Sequence, residues 1–418
     1  MNADRNRFGP YADNRALLYE TIRDEGIFTW DMMYGQEYAL AGIYRTSEET
    51  VSRIRTAADK LGAVFARTVE VIQRGETELL LSLGLPAASL EACRLSLDGM
   101  PLTAIGRFDF AVTEQGVKML EFNSDTPTGI VEAFYVNGHV CRHHGAADPN
   151  EGMSAMIGQA FAQAVRAYRS QGYRTGAIVF SSLDWHEEDA GTTRYLLRNS
   201  GLHGSFAPLA DLRVLGDRLY VQKDGKLEPV DLLYRLHALE KLAEEKDEDG
   251  YPTGKHMLDL IARRKLAVIN PPSAFVAQTK ALQALIWNLH ETGQFYTPEE
   301  HDTVEAYMLP TYLDNRLLHQ CNYVRKPIFG REGGAVTIFR SDGTELHRDE
   351  EPNYWEQPVV YQRYTELPAV RMETLAGMYE GSLLWGCFLI GGEASAVVAR
   401  LGGKITGNLS YYVPVGIG

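Results

Sequence analysis

Between Arg107 and Asp125 the chain reads RFDFAVTEQGVKMLEFNSD, and this stretch constrains the fold more tightly than any other. Polar and apolar residues alternate on both sides of Glu114-Gln115-Gly116, the pattern of a β-hairpin. A three-residue loop closed by a left-handed glycine puts Thr113 opposite Val117, Asp109 opposite Glu121 and Arg107 opposite Asn123. Side chains alternate faces along a strand, so Phe108, Phe110, Leu120 and Phe122 share an apolar face. The other face carries Arg107, Asp109, Glu121 and Asn123. Facing carboxylates repel by roughly a few tenths of a kcal/mol or more unless something positive lies between them. Arg107 can supply that charge, which leaves a solvated, ion-paired face as one reading. A hard divalent cation such as Mg2+ is the other, and it also accounts for the asparagine, because such ions select Asp, Glu and Asn oxygens.

At 418 residues the chain is too long for one simple core, and two or three structural units are expected. The net charge of −14, from 41 basic and 55 acidic residues, disfavours unspecific nucleic-acid binding. Four scattered cysteines show no CxxC or zinc spacing and read as reduced thiols of a cytoplasmic protein. Cys93 and Cys141, with His143 and His144, read as structural or surface residues. The opening MNADRNRFGPYADNR lacks the apolar run of a signal peptide, and no segment approaches the roughly 18 apolar residues of a membrane span. The expectation is a soluble chain with neither a nucleic-acid nor a membrane partner.

Three segments are expected. Residues 1–170 form a helical region plus the hairpin, 171–275 an α/β region, and 276–418 a nucleotide-binding region. Asn14 to Ile72 reads as mainly helical, with Ser47 as a cap and Val51, Ile54, Leu61, Val64 and Phe65 at helical spacing. A helix is expected near Gly152 to Ser170. TGAIVFSS (Thr175 to Ser182) is a buried strand, followed by a loop, LDWHEEDAG, and a helix, TTRYLLRNSG. The loop lies at the carboxyl end of its strand, where open α/β sheets bind ligands. Its acids Asp184, Glu187, Glu188 and Asp189 fit a ligand site and a solvated helix cap equally well. A hairpin turns at Lys223-Asp224-Gly225, and VAQTKALQALIWNLH reads as one helix with Lys280 in its first turn or two.

Gly330-Arg331-Glu332-Gly333-Gly334 lies between two strands and opens no helix, which argues against a Walker loop or a dinucleotide fingerprint. A glycine-rich hairpin can fold over phosphates as a flap, its N–H groups forming a concave anion site. Lys326 and Arg331 flank it, and Lys280 lies upstream. Together with the polar hairpin face, these point to a nucleoside triphosphate.

On RFDF…LEFNSD, VRKPIFGREGG and YQRYTELP, and on GIFTWDMMYGQEYAL near the start, the chain resembles the glutathionylspermidine synthase family over nearly its whole length. The resemblance implies an α/β (α+β) architecture, an ATP-grasp fold with a pre-ATP-grasp α/β domain. It also implies an ATP- and Mg2+-dependent ligase that joins a peptide or amino-acid carboxylate to a polyamine or other amine through an acyl phosphate. Carried over by position, it implies that Asp109, Glu121 and Asn123 bind Mg2+ and that Arg107 contacts phosphate and the reacting carboxylate. Lys280, Lys326, Gly330, Gly333, Gly334 and Gln362 then hold ATP, Arg331 belongs to the closing loop, and Arg400 stabilises the transition state. Thr126 and Thr128 hold the acyl substrate, and Glu187 and Glu188 receive the amine. Gly129 stands where the family has a cysteine, and Pro127 stiffens the loop. The amidase domain carried by bifunctional members is not expected here. A nucleotide-binding regulator or scaffold without ligase activity is the alternative, and a carboxylate kinase a third. A homodimer is left open.

Overall fold

In a computed structural model, residues 10–247, 249–331 and 333–418 are described. The signal-peptide reading of the first nine residues, and Glu332 of the glycine loop, lie outside them.

The hairpin forms, with Ile105–Thr113 pairing antiparallel to Gly116–Asn123. Its turn is one residue tighter than the sequence suggests: Thr113 pairs with Gly116, and Val112 with Val117. A bulge at Leu120 then restores the register, so Asp109 faces Glu121 and Arg107 faces Asn123 as expected. The bulge also exchanges two side chains. Met119 is fully buried in the core, while Leu120, expected there, turns toward the polar side. Phe108 and Phe122 stack with centroids 3.8 Å apart, and Phe65 meets both edge-on at 5.7 and 5.2 Å. Phe65 comes from the helix Glu48–Ile72, capped by the Ser47 hydroxyl accepting from Thr50 N at 3.1 Å. This helix covers the apolar face of the hairpin and leaves the polar face for a cleft.

The hairpin belongs to a six-stranded antiparallel sheet. Ile105–Thr113 pairs with Gly377–Ile390, which pairs with Glu393–Gly402 and, at its other end, with Ala369–Thr374; Tyr411–Val413 completes the edge. The sheet thus joins strands from the first and last thirds of the chain. A second, parallel sheet runs Ala267–Ile269, Leu232–Leu236, Ile178–Ser182, Ser205–Pro208. A third has five antiparallel strands and contains Tyr323–Pro327 beside Val359–Arg363 and Thr337–Phe339. Among the described residues no helix is long and apolar enough to cross a membrane.

The stretch from Asn14 to Ile72 is mainly helical as expected, in Pro10–Asp24 and Glu48–Ile72, while two other expectations need correction. Between those helices the chain also makes short strands at Met32–Met33, Gln36–Glu37 and Tyr44–Thr46. Two- and three-residue strands carry too little alternation to be seen in a sequence. The acidic loop is largely helix, since Glu187–Asn199 begins at the acids and places Glu187, Glu188 and Asp189 in its first turn, capped by His186. The helix expected around Lys280 is two helices, Pro272–Gln278 and Lys280–Thr292, broken at an extended Thr279 whose hydroxyl caps Ala281 N.

Asn270, only 1% exposed, ties the hairpin to the parallel sheet. Its Oδ1 accepts from Ala104 N (2.9 Å) and Ile105 N (3.0 Å), while Nδ2 donates to Ile105 O, Ser124 O and Asp125 O at 2.8, 3.3 and 2.6 Å. Asn270→Ala strands several of these groups out of water, at about 1–3 kcal/mol each. Denaturant titration should show a loss of at least about 3 kcal/mol in unfolding free energy. A loss under about 1 kcal/mol would mean the strand ladders alone fix this junction.

Candidate functional site

The polar face of the hairpin opens on two adjoining cavities. The first lies against the five-stranded sheet and is lined by Asp109, Glu121, Lys280, Lys326, Gln362 and Arg400, with Gly330, Gly333 and Gly334 at one side. Its apolar wall is Val324, Ile338, Leu384 and Ile405. The second is lined by Arg107, Asn123, Thr126, Thr128, Glu188 and Arg331, with Tyr38 and Tyr412 opposite. Glu121 and Arg400 line both.

Every side chain at the junction is held. Arg107 grips Asp109 with Nε to Oδ1 at 2.6 Å and Nη2 to Oδ2 at 3.0 Å, and its Nη1 donates to Thr128 O at 2.5 Å. Arg400 Nη2, from the strand Glu393–Gly402, reaches Asp109 Oδ2 at 3.3 Å across the intervening strand Gly377–Ile390. Room for this comes from Gly386, which pairs with Asp109: a Cβ there would lie 2.7 Å from Val398 Cγ1 and 3.0 Å from Arg107 Cδ. A mid-strand glycine here marks the close approach of a side chain across the sheet.

Lys280, the first residue of its helix, pairs with Glu121 Oε2 at 3.1 Å and donates to Gly330 O at 2.8 Å, so one ammonium holds both the hairpin and the glycine loop. Lys326 donates to Gln362 Oε1 at 2.7 Å and to Leu120 O at 3.3 Å. The bulge at Leu120 is what presents that carbonyl. Burial pushes the Lys326 ammonium down to about 8, with Lys280 adding to the effect and Glu121 opposing it. Burial alone would raise the Glu121 carboxyl, but Lys280, Lys326 and Arg107 outweigh it and hold it at about 2. Burial likewise opposes the charge on Arg107, yet Asp109 keeps the guanidinium above its ordinary range.

Four cations (Arg107, Lys280, Lys326 and Arg400) therefore converge on two carboxylates (Asp109 and Glu121). In a chain of net charge −14 this local positive excess favours an anionic ligand. Among the described residues no group of three or more His, Cys, Asp and Glu side chains is arranged to hold a metal. The hairpin offers two carboxylates and an amide, with Asn123 Nδ2 3.3 Å from Asp109 Oδ2 and 3.4 Å from Glu121 Oε1. That set suits Mg2+, which is bound by one or two carboxylates and completes its shell with water and phosphate oxygens.

The acidic pair divides. Glu188 lines the second cavity, whereas Glu187 accepts a hydrogen bond from the Thr29 hydroxyl and is not among the cavity's lining residues. Arg331 Nη1 donates to Thr126 Oγ1 at 2.9 Å, and its guanidinium lies 3.3 Å from Glu240 Oε1, so the glycine loop reaches the second cavity. Gly129 has φ +76°, a region that disfavours a cysteine. Sequence reasoning missed Tyr38, Tyr412 and the segment from Lys404 to Ser410, which line these cavities. The signal for the last of these is a short glycine-bearing polar run after Arg400.

Comparison with known proteins places this geometry. A protein of Haemophilus influenzae named "Putative acid–amine ligase" is 24% identical over 405 residues, covering 95% of this chain and 93% of the relative. The apo structure of a glutathione synthetase-like effector from Globodera pallida superposes with a TM-score of 0.60 over 97% of this chain and 96% of that one, at 11% identity, a likeness of fold. The family described as glutathionylspermidine synthase preATP-grasp matches residues 11–418, so the α/β architecture is of the ATP-grasp type with a pre-ATP-grasp domain, and the chain belongs to that family.

Proposed function

We propose that the protein is an ATP- and Mg2+-dependent carboxylate–amine ligase, related in chemistry to glutathionylspermidine synthase. The observation that carries this reading is the meeting of two cavities at Glu121 and Arg400, under an excess of positive charge. Family membership and the name of the Haemophilus relative support it.

In this reading the first cavity takes ATP. Lys280 and Lys326 face the phosphates, the Gly330–Gly334 loop closes over them, and Gln362 orients Lys326 beside the base. Asp109, Glu121 and Asn123 would hold Mg2+, which when bound would supply charge that neutralises phosphate oxygens. The second cavity takes the acid and the amine: Arg107, Thr126, Thr128 and Arg331 orient the carboxylate, and Glu188 attracts the ammonium. A carboxylate oxygen attacks the γ-phosphorus and ADP leaves, giving an acyl phosphate. The neutral amine then attacks the acyl carbon, and inorganic phosphate departs with the C–O bond electrons. Arg400, between the cavities, faces the charge that develops in transfer. The substrate classes that fit are a peptide or amino-acid carboxylate and a polyamine or simpler amine.

The second reading is a nucleotide-binding protein without ligase activity. It draws on Gly129, where the left-handed backbone disfavours the family's cysteine. Incubation with Mg-ATP, a panel of acids and hydroxylamine separates the two. Hydroxamate and ADP are expected; tight nucleotide binding with no turnover would favour the regulator.

Asp109→Ala or Glu121→Ala should abolish Mg-dependent ATP turnover while the circular dichroism spectrum stays native; full activity in both would move the metal elsewhere. For Arg400→Ala, kcat should fall by roughly 10²-fold or more with a much smaller change in ATP affinity. A matching loss in affinity would assign Arg400 to ground-state binding.

Lys326 generates a pH test. Its folded value of about 8 lies below the ordinary lysine value of about 10.4, so the charged form is disfavoured in the fold. The unfolded chain binds more protons between these values, and stability from this group rises with pH across that window. A bound triphosphate restores the charge, so Mg-ATP binding just above pH 8 should take up protons. Calorimetry in two buffers of different protonation enthalpy reads the uptake, and Lys326→Met should remove it. Zero uptake in the parent protein would place the phosphates away from Lys326.

A further inference from the structure

Behind the second cavity lies a carboxylate that the proposed chemistry has not used. Glu132 is completely buried, in a single wide helical turn, Glu132–Val136, of the kind that often marks functional sites. Its Oε1 accepts from Trp30 Nε1 at 2.9 Å and from the Tyr38 hydroxyl at 3.0 Å. Its Oε2 is sealed from solvent with no hydrogen-bond partner among the described residues. Tyr38 itself lines the cavity. A chain of two groups therefore runs from the cavity wall to an under-solvated carboxylate.

We propose that Glu132 is the proton acceptor for the incoming amine, reached through the Tyr38 hydroxyl. The inference rests on the ligase reading above. An alkylamine is an ammonium ion at neutral pH and must lose a proton before it can attack. Glu188, facing the cavity, attracts that cation but by doing so strengthens its hold on the proton. The Tyr38 hydroxyl donates to Glu132, so its oxygen keeps a lone pair with which to accept a proton. One ammonium proton passes to Tyr38 Oη as the Tyr38 proton passes to Glu132 Oε1. Of the other two, one leaves with the phosphate after attack and one stays on the amide nitrogen.

The surroundings suit an acceptor. Burial raises the proton affinity of Glu132, and hydrogen bonds from Trp30 and Tyr38, with the charge of Arg107, offset this only in part. The Tyr412 hydroxyl is spent on the Glu132 backbone carbonyl at 2.9 Å. Burial, with Glu132 and Glu188 nearby, keeps Tyr38 un-ionised against the pull of Arg400, so it relays the proton without becoming phenolate.

The experiment compares an alkylamine with hydroxylamine, which is neutral at pH 7 and needs no prior deprotonation. With the full chain, Mg-ATP, glutathione or glutamate as acyl donor, and ethylamine or spermidine as amine, the readout is the ratio of amide to hydroxamate. In Glu132→Gln and in Tyr38→Phe that ratio should fall by about 10²-fold. Amide formation by Glu132→Gln should also climb about tenfold per pH unit, following the free neutral amine, where the parent levels off. The ratio is unaffected by partial misfolding, which lowers both products together. An unchanged ratio, or equal losses with both nucleophiles, overturns the proposal. Absence of hydroxamate from the parent protein with every acid of the panel above overturns the ligase reading and this inference with it.

Discussion

The turn from Ser124 to Gly129 is fixed by polar groups sealed from water, and it lines the second cavity through Thr126, Thr128 and Gly129. Asp125 and Arg235 are each fully buried and meet through two bonds of 2.7 and 3.0 Å. Leu239 N also donates to Asp125, Gln278 Oε1 accepts from Ser124 N and Asp125 N, and the Ser124 hydroxyl donates to Ala274 O. Removing one partner of such a pair costs about 3–5 kcal/mol, because the other is left charged and dry. That is a large share of the stability of an ordinary domain. The hairpin, the parallel sheet and the Pro272–Gln278 helix are thereby joined at one point, and Thr126 and Thr128 leave it in a set direction toward Arg107.

Electrostatics at the junction follows from the same rigidity. Asp109 Oδ2 receives Arg107, Arg400 and Asn123 together, at 3.0, 3.3 and 3.3 Å. In the proposed function a cation bound there would displace at least one of these donors. Where that donor is an arginine it would be released to meet an anion, which would couple phosphate and divalent-ion binding through this one oxygen. The pairing also spares the protein an isolated buried carboxylate when the cavities hold only water.

How much of this was legible in the sequence depends on the distance over which a pattern acts. The polar face of the hairpin could be read because alternation is local, even though a tighter turn and a bulge, two departures that cancel, produce the register. The bulge itself was invisible, and with it the exchange of Met119 for Leu120. The break at Thr279 was missed because AQTKAL carries helical apolar spacing through it; only the tertiary bond from the Thr279 hydroxyl to Leu83 O, together with its cap on Ala281, reveals the stop. Glu187 and Glu188 were inseparable as letters. Once in a helix they point about 100° apart, and only Glu188 lines the cavity. The link between Tyr38 and Glu132 spans 94 residues and leaves no local trace.

The glycine loop connects these parts into one chemistry. Lys280 holds its carbonyl at Gly330 beside the first cavity, proposed for ATP, while Arg331 extends from the same loop to Thr126 of the second, proposed for the acid. A loop tied only to nucleotide would leave the second cavity open while an activated acid waits for its amine. Acyl phosphates hydrolyse, so a ligase needs the acyl end shielded whenever the nucleotide end is occupied. In the proposed function a single segment bonded at both ends would meet that need, because the loop held at Gly330 by Lys280 also carries the arginine that reaches Thr126.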